Sequence, residues 1–166
     1  MTTRITADNI ESKTGSGSVV LATSPTLVTP ALGAASATSL SIQDLVTLNE
    51  TTEGLVSLTG ATGTVTHNLA TTNIFVHTSV AANFTVNFTN VPTTNDRVIS
   101  PSLIVIQGAT AYLPNALQID GVAQTIKWSS GSAPSATASR TEIFTFTLIR
   151  ISSGWTVLGG LLGSYA

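Results

Sequence analysis

The sequence predicts an all-β protein whose C-terminal part folds as a β-sandwich or a small barrel. Two observations support this fold class. About seven or eight short segments between Leu55 and Leu162 have the composition and alternation of β-strands, and turn sequences separate them. In addition, no long stretch shows helical periodicity with capping residues, so we expect very little helix.

The clearest strand predictions rest on side-chain alternation. Residues 83–90 alternate Phe or Val with Thr or Asn, which is typical of a half-buried strand. Residues 74–80 alternate in the same way. One face of that segment carries Ile74, Val76, Thr78 and Val80. Residues 103–106 form a short apolar run, which favours a central strand.

The segment 142–151 is predicted to be a longer strand. One of its faces carries Phe144, Phe146 and Leu148. The turn sequence Ser152-Ser-Gly154 follows it, and a further apolar segment begins at Trp155. We therefore predict a hairpin at this point of the chain.

Composition indicates a neutral surface rich in hydroxyl groups. Hydrophobic residues make up 42% of the chain, and charged residues only 8%, against about 25% in ordinary globular domains. The net charge is -2 without a basic cluster, so we do not expect a nucleic-acid partner. Cys is absent, which excludes disulfides and thiolate metal sites. No signal peptide and no membrane-length apolar run are present, so membrane insertion is not expected.

The chain divides into residues 1–13, 14–52 and 53–166. The middle segment carries short apolar patches separated by Gly and Pro, and Pro25 and Pro30 exclude a continuous helix or a central strand. It has too few apolar side chains to offset its own ordering entropy. It is therefore disordered, packed on the following domain, or buried against copies of itself, and the small-residue pattern with little charge favours the last. The candidate contacts are Val19, Val20, Leu21, Leu27, Val28, Leu40 and Ile42.

No set of catalytic side chains emerges from the sequence, and we expect no enzyme activity, cofactor or metal site. His67 and His77 could lie on neighbouring strands and bind a metal, but ordinary strand or turn residues are favoured. Glycoside hydrolysis requires two carboxylates flanking a cleft, and the nearest pair is Glu50 and Glu53. We expect the carboxylates, including Glu142, to be solvated or to lie at subunit contacts.

Two stretches resemble bacteriophage tail-fibre and related virion proteins. The segment Thr14-Gly-Ser-Gly-Ser-Val-Val-Leu-Ala-Thr-Ser-Pro-Thr-Leu-Val-Thr-Pro-Ala-Leu-Gly33 resembles an element repeated in phage fibre shafts. The C-terminal span is similar to terminal β-domains of phage fibres, especially those of marine and cyanobacterial phages. It includes Ile104-Val-Ile-Gln-Gly-Ala-Thr-Ala-Tyr112, Ile126-Lys-Trp-Ser-Ser-Gly-Ser-Ala-Pro134, Ile143-Phe-Thr-Phe-Thr147 and Gly154-Trp-Thr-Val-Leu-Gly159.

The resemblance implies a homotrimer in the virion, assembled in the host cytoplasm, with an intertwined stem and an antiparallel, jelly-roll-like β-sandwich head. Residues 1–13 would dock on another virion protein, and the head would bind a host surface receptor, in particular a glycan. The aromatic residues favour core positions, but Tyr112 and Trp128 lie near predicted loops and could stack on a sugar ring. The candidate receptor-facing residues are Tyr112, Trp128, Ser130 and Ser132.

Two other functions compete with host attachment. Since the chain is short and has one shaft-like element, a capsid decoration, cement or head-fibre protein that stabilises the capsid is the alternative. A polysaccharide depolymerase would require a carboxylate pair in a groove and is disfavoured.

Overall fold

The structure is a computed structural model, and it describes residues 51–166. These residues form eleven β-strands and no helix, which confirms the all-β prediction for this part of the chain. The strands are β1 (Leu55–Thr59), β2 (Gly63–Asn68), β3 (Ile74–Thr78), β4 (Phe84–Thr89), β5 (Arg97–Ile99), β6 (Ser102–Ile106), β7 (Pro114–Ile119), β8 (Val122–Gln124), β9 (Ile126–Trp128), β10 (Thr141–Ile151) and β11 (Gly154–Tyr165).

The predicted docking segment, residues 1–13, and nearly all of the predicted stem, residues 14–52, lie outside the described residues. The same holds for the predicted stem contacts Val19, Val20, Leu21, Leu27, Val28, Leu40 and Ile42. These assignments stay predictions.

The chain passes back and forth between two sheets. The seven-stranded sheet has the order β1-β3-β6-β10-β11-β9, with β5 also paired to β10, and the four-stranded sheet has the order β2-β4-β7-β8. Strands β1, β2, β3, β4, β6 and β7 alternate between the sheets, so the chain makes three turns of a two-sided coil. The long strands β10 and β11 then extend the seven-stranded sheet.

Neighbouring strands within the coil are parallel, so the predicted antiparallel, jelly-roll-like arrangement is wrong for it. Strand β3 runs parallel to β1 and β6, and β4 runs parallel to β2 and β7. Antiparallel pairs join β10 to β5, β6 and β11, and β7 to β8. The physical reason is that side-chain alternation marks the buried face of a strand and not its direction. Each short connection leads the chain to the other sheet. The next strand in the original sheet therefore runs in the same direction as the one before it.

The predicted hairpin after residue 151 is confirmed, since β10 and β11 pair antiparallel around it. Its turn places two consecutive non-glycine residues in the left-handed region, with φ of 49° at Ser152 and 64° at Ser153. A turn of this kind matches the right-handed twist of the flanking strands. Asp120 and Gly121, with φ of 47° and 81°, form the corresponding turn between β7 and β8.

One hydrophobic core fills the space between the two sheets. Its largest members are five phenylalanines, contributed by β3, β4 and β10: Phe75, Phe84, Phe88, Phe144 and Phe146. Phe88 of the four-stranded sheet meets Phe146 of the seven-stranded sheet edge to face, with ring centroids 5.8 Å apart. Such edge contacts add to the hydrophobic stabilisation from burying each ring, so the sheets are held together by interlocking aromatic side chains.

Candidate functional site

An open groove of about 350 Å³ lies where β9, β10 and β11 meet in the seven-stranded sheet. Leu158 and its cross-strand neighbours Thr147 and Lys127 line it. The remaining lining residues are Trp128, Ser129, Thr145, Gly159 and Gly160.

Two adjacent glycines in β11 create this groove. Gly160 pairs with Thr145, and a Cβ atom at Gly160 would lie 3.1 Å from the Ser129 Oγ. Because no side chain occupies that position, a hollow remains between the strands. A Cβ atom at Gly159 would lie only 2.7 Å from the Ile126 Cγ2 atom and 3.1 Å from the Trp128 ring. The indole therefore packs directly over the β11 backbone.

The Trp128 indole lies on the inner face of the sheet, behind the groove. It is half-buried, and its ring lies 6.2 Å from that of Phe146 between centroids. Because Trp128 pairs with Gly159, and Gly159 pairs with the buried Phe146, the indole points to the core side of the sheet. The side chains of Thr147 and Leu158 lie on the opposite face, so Trp128 supports the strands that form the groove and gives it no aromatic wall.

The chemistry of the groove combines one cation, several hydroxyl groups and an apolar side chain. Lys127 carries an ammonium group, while Ser129, Thr145 and Thr147 each carry a hydroxyl that can donate and accept. Leu158 supplies apolar surface. Ligand sites commonly place a few convergent polar groups around an apolar wall. Sugar rings, with apolar faces and hydroxyl edges, match this combination.

The other predicted receptor-facing residues lie elsewhere. Ser130 and Ser132 are exposed in the loop after β9, where the Ser130 hydroxyl donates to the Ser132 carbonyl at 3.2 Å. Tyr112 is half-buried and packs against the core. Among the described residues, the groove lining includes Trp128 but none of these three. A receptor role for any of the four stays a prediction.

The two histidines meet in the core between the sheets. His67 of β2 and His77 of β3 are both fully buried, and their Nε2 atoms lie 2.9 Å apart. One ring donates and the other accepts, an arrangement that two neutral rings make in complementary tautomers. Burial lowers the pKa of both rings, and the neighbouring His77 lowers that of His67 further. The values are about 3 for His67 and about 4 for His77.

Glu142 is fully buried, so the prediction that the carboxylates lie at the surface or at subunit contacts is wrong for this residue. Its carboxylate accepts from the Gln107 side-chain amide at 2.9 Å and from the Thr137 backbone N–H at 2.8 Å. The Ser164 hydroxyl donates to it at 3.2 Å. Alternation along β10 explains the burial, since Glu142 lies on the same face as Phe144 and Phe146.

The Glu142 network fixes loops as well as strands. The Gln107 amide also donates to the Tyr112 carbonyl at 2.8 Å, and its Oε1 accepts from the Tyr112 N–H at 3.0 Å. Thr137 belongs to the loop between β9 and β10. Hydrogen bonds to this one buried side chain therefore connect the loop before β7, the loop before β10 and the end of β11.

The described residues contain neither a metal-binding cluster nor a membrane-spanning helix. Within residues 51–166, no three His, Cys, Asp or Glu side chains are grouped as they would be to bind a metal ion. The same part of the chain contains no helix with the length and apolarity needed to cross a membrane.

Comparisons with known proteins do not assign the chain to a family. No protein-family model, no curated protein and no solved structure matches it. The chemistry of the groove and the surfaces of the two sheets are therefore the basis for a functional proposal.

Proposed function

We propose that the chain is a non-enzymatic structural protein of a phage virion, a short trimeric fibre whose β-domain binds a glycan on the host surface. The observation that carries this proposal is the open groove at β9, β10 and β11, where three hydroxyl groups, Lys127 and the Leu158 side chain converge on the outer face of the sheet. Leu158 contacts the apolar face of a sugar ring, and the hydroxyl groups exchange hydrogen bonds with its edge.

The surface of the four-stranded sheet supports a role in solvent. The side chains of β2 and β4 that alternate with buried ones are Thr64, Thr66, Asn68, Thr85, Asn87 and Thr89. In β7, Gln118 lies beside Asn87 on the same face. This face is hydrated through hydroxyl and amide groups rather than through charges. A surface of this kind suits a body that projects from a particle and contacts neutral, hydroxyl-rich polymers.

The arrangement of segments along the chain supports a fibre. The predicted stem ends at residue 52, and β1 begins at Leu55, so the β-domain follows the stem almost directly. β1 is also an edge strand of the seven-stranded sheet. In the proposed trimer, residues 14–52 of three copies wrap together, and residues 1–13 attach the fibre to another virion protein.

The proposal predicts that Leu158→Ala weakens glycan binding by the full-length protein at least about tenfold, because the exposed apolar contact surface of the groove is lost. Binding to an array of bacterial surface oligosaccharides measures this effect. Thr147→Arg, which fills the groove from a partly exposed position, is expected to do the same without removing a core contact. Thr66→Ala on the four-stranded sheet is the matched control and should bind as the wild type does.

Two outcomes would overturn the receptor proposal. One is a folded wild-type protein that binds no oligosaccharide on the array, which would instead favour a capsid decoration role. The other is unchanged binding in both groove variants, which would place any glycan site elsewhere on the domain. Circular dichroism of each variant establishes that a loss of binding is not a loss of fold.

A further inference from the structure

The seven-stranded sheet has apolar side chains on its outer face as well as on its inner one. In β3, Phe75 and His77 are buried, so Ile74 and Val76 point outward. In β6, Leu103 and Val105 are buried, so Ile104 points outward. In an ordinary two-sheet domain the side chains on the outer face are polar, as they are in the four-stranded sheet here.

Strand register brings these outward side chains together. Val76 pairs with Ile104, and Ile104 pairs with Ile143, so three β-branched residues form a row across β3, β6 and β10. Leu55 pairs with Ile74 in β1 and β3 beside this row. We call the following set the apolar outer patch: Leu55, Ile74, Val76, Ile104, Ile106 and Ile143.

The patch lacks charge. It belongs to four strands about 4.8 Å apart and to about five residues of each strand, which is on the order of 300 Å² of sheet surface. Its members share this surface with outward Ser and Thr side chains, among them Ser57 and Ser102. Leu55 is 58% exposed and Ile106 is 44% exposed. Apolar side chains gathered on one sheet face mark an interaction site more often than scattered single residues do.

We infer that the apolar outer patch is the contact between β-domains of three copies of this chain, an inference that rests on the trimeric fibre proposed above. A separate partner protein would have to bind through this patch, which is smaller than the roughly 800 Å² per partner of a stable interface. Copies of the chain face no such limit in the proposed fibre, where joined stems would raise their effective concentration. A small apolar contact is then sufficient.

The position of the patch in the sheet agrees with this assignment. β1 follows the predicted stem and forms one edge of the sheet, while β9 lies at the opposite edge. The groove lies towards the β9 edge and the patch towards the β1 edge, so a contact through the patch leaves the groove open to a host glycan.

Pulsed electron paramagnetic resonance on the full-length protein tests the inference. The chain contains no Cys, so one introduced cysteine gives a unique spin label. We compare Ser57→Cys, on the outer face of β1, with Thr66→Cys, on the outer face of β2 in the other sheet. Because packed sheets lie about 10 Å apart, threefold geometry makes distances between Thr66 labels at least roughly 15 Å longer than those between Ser57 labels.

A charge placed in the patch provides the second measurement. Ile104→Lys should reduce the fraction of molecules with the short distance between Ser57 labels to less than about half. An ammonium group cannot be buried against apolar side chains without a partner. Thr85→Lys, on the outer face of the four-stranded sheet, is the matched control and should leave the distances unchanged. Where Ile104→Lys fails to fold, Leu55→Glu at an exposed edge position replaces it.

The outcomes separate this inference from the proposed fibre. A trimer in which Ser57 labels are as far apart as Thr66 labels would overturn the contact through the patch and leave the fibre standing. Unchanged distances in the folded Ile104→Lys protein would overturn it equally. A monomeric wild-type chain would refute both the patch contact and the trimer, whereas glycan binding at the groove is measured independently.

Discussion

Acidification from pH 6.5 to 5 is expected to remove about 3 kcal/mol of the free energy of unfolding, because two buried histidines must stay neutral in the folded state. The pKa is about 3 for His67 and about 4 for His77 in the folded protein, against 6.5 for a free histidine. Below pH 6.5 the unfolded chain therefore binds protons that the folded chain does not bind. The stabilisation from neutral burial is complete above pH 6.5 and is lost progressively as the pH falls towards the folded pKa values.

Denaturant unfolding at several pH values between 5 and 7 measures this dependence. The double variant His67→Leu, His77→Leu is the matched comparison, since the chain has only 2 histidines and the change removes both. We expect the variant to show a nearly flat stability over this range, where most exposed carboxylates stay ionised. An equally steep loss of stability in the variant would show that other groups control the acid response.

Glu142→Ala is expected to destabilise the domain by about 3 kcal/mol or more. The change removes one acceptor of the buried Gln107 amide and the acceptor of the Thr137 N–H, and an unsatisfied buried group costs about 1–3 kcal/mol. It also opens a cavity beside the core. Because the network holds the loop before β10, amide hydrogen exchange at Thr137 should accelerate more than exchange in β4.

The matched control is Glu53→Ala, which removes an exposed carboxylate from the same domain. Its effect on the denaturation midpoint should correspond to less than about 0.5 kcal/mol. Equal midpoints for Glu142→Ala and the wild type would contradict a structural role for the buried network. A loss of stability without faster exchange at Thr137 would contradict its role in fixing the loop.

The sequence was sufficient to predict the all-β class of residues 51–166 and the hairpin at Ser152, although seven or eight strands were predicted and eleven are present. Strand direction was not predictable in the same way, because period-two alternation is identical in parallel and antiparallel strands. The two-sided coil depends on whether a short connection turns back within a sheet or crosses to the other sheet. Neither Gly60 nor the residues after it distinguish these two routes.

The buried polar groups could have been found by extending the alternation. Phe144, Phe146 and Leu148 were predicted to share a face, and counting back two residues from Phe144 reaches Glu142. The burial of His77 was harder to predict, because both faces of β3 are apolar and the sequence does not say which one meets the core. That ambiguity has a physical basis, since the outward face of β3 belongs to the apolar outer patch.

Gly159 and Gly160 carried no recognisable signal in the sequence, although they shape the groove. Their role depends on the pairing of β11 with β9 and β10, which brings Trp128 over one glycine and Ser129 beside the other. Trp128 was predicted as a receptor-facing candidate from its position near a loop. In the structure its indole points to the inner face of the sheet, whereas Lys127, Thr145 and Thr147 line the groove on the outer face.

The two sheet surfaces together connect the fold to the proposed function. The outer face of the four-stranded sheet carries hydroxyl and amide groups, and that of the seven-stranded sheet carries the apolar outer patch. With 8% charged residues, the chain has few charges to place around this patch. In the proposed trimer, association of copies would remove the patch from water and leave the neutral polar face and the groove exposed.

The mass of the full-length protein in solution tests this association most directly. Sedimentation equilibrium or light scattering at micromolar concentration should give three times the chain mass of 17.0 kDa. A folded species that stays at 17.0 kDa across the concentration range would contradict the claim that copies of the chain cover the apolar outer patch.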